Sequence, residues 1–260
     1  MTPTRSPSAR PRAAPSALTP RQPGASRGAE DRAEARGVAG DAGRPRTLVI
    51  DVGGTHVKLL VSGRRVPVKL ESGPRLTPRA MVQGVREATA DWRFDRITIG
   101  YPGPVVNGRP ARDPRNLAPG WLRFDFTRAF GRPVRIVNDA AMQALGSYDG
   151  GRMLFMGLGT GLGTALVGEG FVLPLELAHL PYRDERTFED YLGVRGLERL
   201  GRGKWARHVA LVAELLRIAL VADHVVLGGG NVKKLDRMPS NCRRGDNKNA
   251  FRGGFRLWER

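Results

Sequence analysis

The chain has 260 residues, 43 of them Lys or Arg and 25 Asp or Glu, for a formal charge of +18. Its 40% apolar and 26% charged content fits a soluble protein with one large core or two modest ones, and excludes collagen-like, membrane-spanning and wholly disordered classes. The lone cysteine, Cys242, cannot form an internal disulfide or a cysteine-based zinc site; it fits a reducing cytosol, so a cytoplasmic location is expected.

So basic a chain raises a nucleic-acid hypothesis, because clustered cations release counterions from a phosphate backbone. Six Lys against 37 Arg, however, is a ratio that genomic base composition produces as readily as selection for phosphate contacts. Residues 1–46 hold nine Arg, four acids, seven Pro and five Gly, with Met1, Leu18 and Val38 as the only large aliphatic side chains. No core can form there, and a disordered basic tail carrying +5 is expected; its acid-free first 29 residues also have the composition of an organellar transit peptide. The remaining 214 residues carry +13, so the body is basic in its own right.

From Thr47 the pattern changes. Apolar runs at Thr47–Ile50, Val57–Val61 and Val66–Leu70 read as a β-meander, and Met81, Val85 and Ala88 give Pro78–Trp92 a helical period. Strands are expected at Arg96–Gly100, leading into Tyr101-Pro102-Gly103, and at Val134–Val137, leading into Asn138-Asp139 and an Ala-rich helix. The opening theme then repeats: strand Arg152–Met156, glycine turn Gly157–Gly163, strand Thr164–Val167. Trp205–Val221 is a helix with Trp205, Val209, Val212, Leu216 and Leu220 on one stripe and Arg207, Glu214 and Arg217 opposite. The strand His224–Leu227 ends in Gly228-Gly229-Gly230. Two strand–glycine–strand openings about a hundred residues apart suggest a duplicated α/β architecture with ligand in the cleft between the lobes.

The glycine turns carry the chemistry. In Asp51-Val52-Gly53-Gly54-Thr55-His56-Val57-Lys58 the glycines let backbone N–H groups approach phosphate oxygens, and Asp51 can hold Mg²⁺ through water. Gly157 to Gly163, with four glycines in seven residues, is a second such turn and Gly228 to Gly230 a third. Asp139, at the carboxyl end of a strand, can take a proton from a hydroxyl attacking phosphorus, while Asn138 can bond another hydroxyl. The bland alternative makes Asp139 the cap of a helix starting at Ala140. Glu176, His179 and Glu189 are lone side chains of the kinds that are more often structural than functional.

Taken together these residues resemble the ROK family of sugar kinases, within the actin, hexokinase and Hsp70 superfamily, and are similar to its short polyphosphate glucokinase branch, over about Thr47 to Trp258. The resemblance implies an α/β fold of two ribonuclease-H-like, actin-like ATPase lobes around a central cleft, here 47–137 and 138–260. It implies transfer of a phosphoryl group from polyphosphate and/or ATP to the 6-hydroxyl of glucose, with Asp139 as general base. Asn138, Glu176 (in Glu176-Leu177-Ala178-His179), His179, Glu189 and Gly103 would bind the sugar. Asp51, Gly53, Gly54, Thr55, Lys58, Gly159, Thr160, Gly161 and Gly228, Gly229, Gly230 would bind phosphate or nucleotide, with Mg²⁺ as cofactor. Ala178 replaces a family glycine, so the backbone there can turn differently and His179 be placed differently. Pro181 to Gly193 has no cysteine, so the family's structural zinc is not expected. A homodimer is implied, and neither a specific nucleic acid nor a membrane is expected as partner. Residues 233–260, with Lys233, Lys234, Arg243, Arg244 and Lys248, offer either a polyphosphate track or a solvated basic surface. Two rivals stay open: a ROK kinase using ATP on another hexose or an N-acetylhexosamine, and a non-catalytic sugar-responsive or polyanion-binding protein.

Overall fold

β1 (Thr47–Val52) and β2 (His56–Val61) form an antiparallel hairpin in which Leu48, Val49, Ile50 and Val52 are all fully buried. The uninterrupted apolar run follows from burial on both faces: Leu48, Ile50 and Val52 pack into one core and Val49 into another. The computed structural model describes residues 44–259, so the tail expected over 1–46 lies, for residues 1–43, outside the described residues.

β3 (Val68–Glu71) pairs with β2 and begins after Pro67, which has no N–H for the ladder, two residues later than the apolar run suggests. α1 (Pro78–Ala88) starts under a Thr77 cap that accepts from Ala80 N–H at 3.1 Å. It ends a turn earlier than the periodicity predicts, because the Thr89 hydroxyl turns back on the Val85 carbonyl at 2.7 Å. β4 (Arg96–Tyr101) lies parallel to β1; after the small hairpin β5 (Val105–Val106) and β6 (Arg109–Pro110) and the short helix α2 (Phe126–Phe130), β7 (Val134–Asn138) lies parallel to β4. The sheet order is β3-β2-β1-β4-β7. α3 (Asp139–Ser147) follows β7 directly.

The second half repeats this plan. β8 (Met153–Leu158), β9 (Leu162–Gly168) and β10 (Phe171–Leu175) form the meander. A one-turn helix (Leu177–His179), the hairpin β11 (Pro181–Arg183) and β12 (Arg186–Thr187), and α4 (Phe188–Leu192) lead to α5 (Val194–Ala219). β13 (His224–Gly228), a second one-turn helix (Gly230–Lys234), β14 (Cys242–Arg244) and α6 (Asn249–Arg256) complete the chain. The sheet order is β10-β9-β8-β13-β14, again antiparallel, antiparallel, parallel, parallel. The expected two-lobed α/β architecture is therefore present, in one compact unit that starts at Pro45.

α5 begins eleven residues before Trp205, with a break at Gly201 (φ 72°) that its glycines conceal in the sequence. Its inner stripe is the expected one for Trp205, Val209, Val212 and Leu216. The opposite face is less polar than expected, since Leu211, Leu215 and Ile218 are 56%, 53% and 62% exposed there. α3 and α6 form the layer between the sheets; a Cβ on Gly253 would stand 1.8 Å from the Met142 carbonyl oxygen, so only glycine permits that approach. α6 also packs on β1, and Trp258 closes the structure by donating to Thr98 Oγ1 at 2.9 Å, with the Arg135 and Arg96 guanidinium groups 4.3 and 4.9 Å from its ring. Among the described residues no helix is long and apolar enough to cross a membrane.

Candidate functional site

A cleft of about 520 Å³ opens where the β1–β2 turn, the β8–β9 turn and the head of α3 converge. The two turns are built alike: Gly53 N–H closes one on His56 O at 3.0 Å, and Gly159 N–H closes the other on Gly161 O at 3.1 Å. These amides are spent on the turns, whereas Gly54, Thr55, Thr160 and Gly161 close neither. A Cβ on Gly161 would lie 2.2 Å from Glu189 Oε2, so any larger residue there must displace that carboxylate. That carboxylate also accepts from Leu162 N–H at 3.3 Å, so α4 holds the second turn in place.

The helix cap at this site is Asn138, not Asp139. Asn138 Oδ1 accepts from Ala141 N–H at 3.0 Å, and its amide donates to Gly103 O at 3.0 Å, tying the Tyr101–Gly103 loop to α3. Asp139 is the first helical residue; its Oδ1 accepts from Ala140 N–H at 2.8 Å. Burial, then the neighbouring Asp51 carboxylate and more weakly Glu176, push the Asp139 carboxyl up to about 7 against the pull of the Ala140 and Asp139 N–H groups. A carboxylate near neutrality at a helix head is poised to exchange a proton at physiological pH.

The structure brings together Asp51, Gly53, Gly54, Lys58, Gly103, Asn138, Asp139, Gly159, Thr160, Gly161, Glu176, Glu189, Gly229 and Gly230 as cleft walls. Thr55 is exposed at its turn, Gly228 is buried against the Phe155 ring, and His179 is exposed on its one-turn helix, where Ala178 turns inward instead; these three are not cleft walls. Asn116, Gln143 and Asn247 also line the cleft and were not singled out from sequence. Lone amides in loops and helices carry no spacing signal; only Pro114-Arg115-Asn116, beside the loop bonded to Trp121, lay near a recognisable turn.

Lys58 is the only Lys or Arg lining the cleft among the described residues, and its Nζ is 3.1 Å from Asp51 Oδ2, across the β1–β2 ladder. Four carboxylates therefore face one ammonium group. Among the described residues no three acidic, His or Cys groups converge closely enough to hold an ion directly. The donor set thus fits a hard cation carried through water at Asp51 rather than one caged by protein ligands.

Solved structures share this two-lobed frame. The inorganic polyphosphate/ATP-glucomannokinase of Arthrobacter sp. strain KM superposes with a TM-score of 0.68 at 23% identity, covering 81% of this chain and 97% of that one. A ROK family glucokinase from Streptomyces griseus, in complex with glucose and AMPPNP, gives 0.64 at 18% identity over 82% of this chain and 98% of that one. The fold is that of the ROK sugar kinases. In sequence, the polyphosphate glucokinase of Mycobacterium leprae (strain TN) is 25% identical over 223 residues, 76% of this chain and 68% of that protein. No family model matches the chain. The two sheets form the two lobes of that fold, and the cleft lies between them, with Asp139 among its lining residues.

Proposed function

We propose that the chain is a sugar kinase of the glucokinase type, moving a phosphoryl group from polyphosphate and/or ATP to the 6-hydroxyl of glucose. The observation that carries this reading is Asp139: a carboxyl held near 7 at the head of α3, between two glycine turns that present backbone amides. In this reading Asp139 accepts the proton of the attacking hydroxyl, and the new O–P bond forms as the bond to the donor's leaving oxygen breaks. Glu176, Glu189 and Asn116 hold other hydroxyls of the acceptor, and Asn138 fixes the Tyr101–Gly103 loop beside it. The amides of Gly54, Thr160 and Gly161 hold donor oxygens, with Gly229, Gly230 and Asn247 bordering the far end.

Asp51 is the residue that would carry Mg²⁺ through water, and the ion would neutralise donor charge that this carboxylate-rich cleft otherwise repels. Lys58 keeps the Asp51 carboxylate oriented. For a polyphosphate chain, Lys233, Lys234 and Lys248 are exposed next to the wall residues Gly230 and Asn247, while Arg243 and Arg244 are committed to Asp149 and to Leu235 O. The similarity to polyphosphate glucokinases and to a polyphosphate/ATP-glucomannokinase supports both donors and leaves mannose as a further acceptor. A homodimer is included in the proposal, with the exposed Leu211, Leu215 and Ile218 face as its support; a monomeric mass by sedimentation removes that part.

The test is steady-state assay of the purified protein with Mg²⁺, a panel of hexoses and N-acetylhexosamines, and each donor. Glucose 6-phosphate from polyphosphate is the expected product; activity from ATP alone removes the polyphosphate part, and no transfer to any sugar favours the non-catalytic reading.

A further inference from the structure

Between the cleft residues Glu176 and Glu189 the chain leaves the wall and returns through the Leu177–His179 turn, the β11–β12 hairpin and the start of α4. The hairpin turn places Asp184 (φ 50°) and Glu185 (φ 56°) consecutively in the left-handed region, a conformation that non-glycine residues keep only when their surroundings enforce it. The enforcing groups are aromatic. The Tyr182 ring on β11 lies 5.2 Å from Phe188 and 4.9 Å from Tyr191, edge-on to the latter at 88°. Its hydroxyl is 3.0 Å from Nδ1 of His208 on α5, and Tyr191 in turn donates to Asp184 Oδ2 in the turn itself.

His208 is anchored. It follows Trp205 and precedes Val209, both fully buried, and Trp205 Nε1 donates to Leu192 O at 3.0 Å. Burial, then Arg183, Arg199 and Arg207, hold the imidazole below its ordinary protonation range, with Asp184 opposing, and its Nδ1 and the Tyr182 hydroxyl share one hydrogen bond. Neither Tyr182, Tyr191 nor His208 lines the cleft, and no step of the proposed reaction uses them.

We propose that Tyr182 and His208 are positioning residues: their hydrogen bond, set in the Phe188–Tyr191 ring cluster, fastens the hairpin to α5 and thereby fixes Glu176 and Glu189 relative to each other on the acceptor side of the cleft. What those two carboxylates bind rests on the sugar-kinase reading; the fastening itself does not. The hairpin is joined through the chain to Glu176 on one side and Glu189 on the other, so loosening its hold on α5 is felt at both, and the placement of hydroxyl-binding groups is sensitive to such shifts.

Tyr182→Phe keeps the ring and removes the hydroxyl, His208→Ala removes its imidazole partner, and His208→Asn returns a polar group near the Nδ1 position. In the full-length protein, Tyr182→Phe and His208→Ala are expected to raise the sugar KM by about fivefold, the size of one net hydrogen bond. Donor KM is expected to stay at the wild-type value and kcat within about twofold of it, with His208→Asn recovering most of the loss. Hydrogen–deuterium exchange supplies a readout independent of activity: amides of 176–192 exchange faster in both variants while those of α3 do not change. Unchanged exchange overturns the proposal, and so does faster exchange with a wild-type sugar KM. Faster exchange in a protein that phosphorylates no sugar sustains the fastening and removes the kinase reading instead.

Discussion

The two halves of the molecule share one topology and divide the chemistry unequally. β1 and β8 are each six residues long and each ends in a glycine turn, but the penultimate residue is Asp51 in one and Gly157 in the other. The helix after the last strand opens on Asp139 in the first half and on Asn249 in the second. Carboxylates thus stand at equivalent frame positions only in the first half, and the second offers glycines and amides there. The second half's own cleft carboxylates, Glu176 and Glu189, belong to the segment between β10 and α5, which has no counterpart where β3 ends at Glu71 and α1 begins at Pro78. A repeated frame has been made asymmetric by single residues at strand and helix ends and by one insertion, as the proposed transfer from a donor to a different acceptor demands.

Perturbing that asymmetry gives effects of graded size. Asp51→Asn removes the first half's strand-end charge, and the proposed water-mediated ion with it; kcat/KM is expected to fall by about 10²-fold, the scale of losing one electrostatic stabiliser. The same variant lowers the Asp139 carboxyl, because the Asp51 charge is one of the causes of its rise. Wild-type kcat/KM, which reports the ionisation of the free enzyme, is expected to drop about tenfold per pH unit below about 7, since the proposed base must be ionised, and the break should move to lower pH in Asp51→Asn. Gly161→Ala forces the second turn and Glu189 apart and is expected to cost about tenfold in kcat/KM, checked with both donors. The smallest effect falls on the rim: Lys233→Glu with Lys234→Glu should raise the polyphosphate KM by about threefold at low salt, an effect that vanishes at high salt and spares ATP.

Much of the frame was legible because its signals are local. β1, β2, β8 and β9 are apolar runs interrupted by glycine turns, and Asn138-Asp139 sits where a strand meets a helix. Elements whose residues answer to packing rather than propensity were not legible. α6 contains Gly253 and Gly254, which weigh against a helix in isolation, yet both are needed where it meets Met142 and Val49. The first turns of α5 are hidden by Gly201, and α2 is a five-residue helix defined by its Asp125 cap and left-handed Gly131 more than by any period. At the site, the exchange of roles between Asn138 and Asp139 turns on a one-residue shift in where the helix begins. The cleft amides Asn116, Gln143 and Asn247 come from three distant stretches that only the fold assembles.

Asp139→Asn tests the central claim most directly. In the wild type the Asp139 carboxyl lies above its ordinary value near 4, so ionisation is resisted by the fold and stability falls as pH rises from about 4 to about 7. The variant should therefore melt at or above the wild-type temperature at pH 8. Phosphorylation of glucose, measured on the same preparation with polyphosphate and with ATP, should fall by about 10²- to 10⁴-fold, the range of a lost general base. A well-folded Asp139→Asn protein that phosphorylates glucose at the wild-type rate would contradict the account.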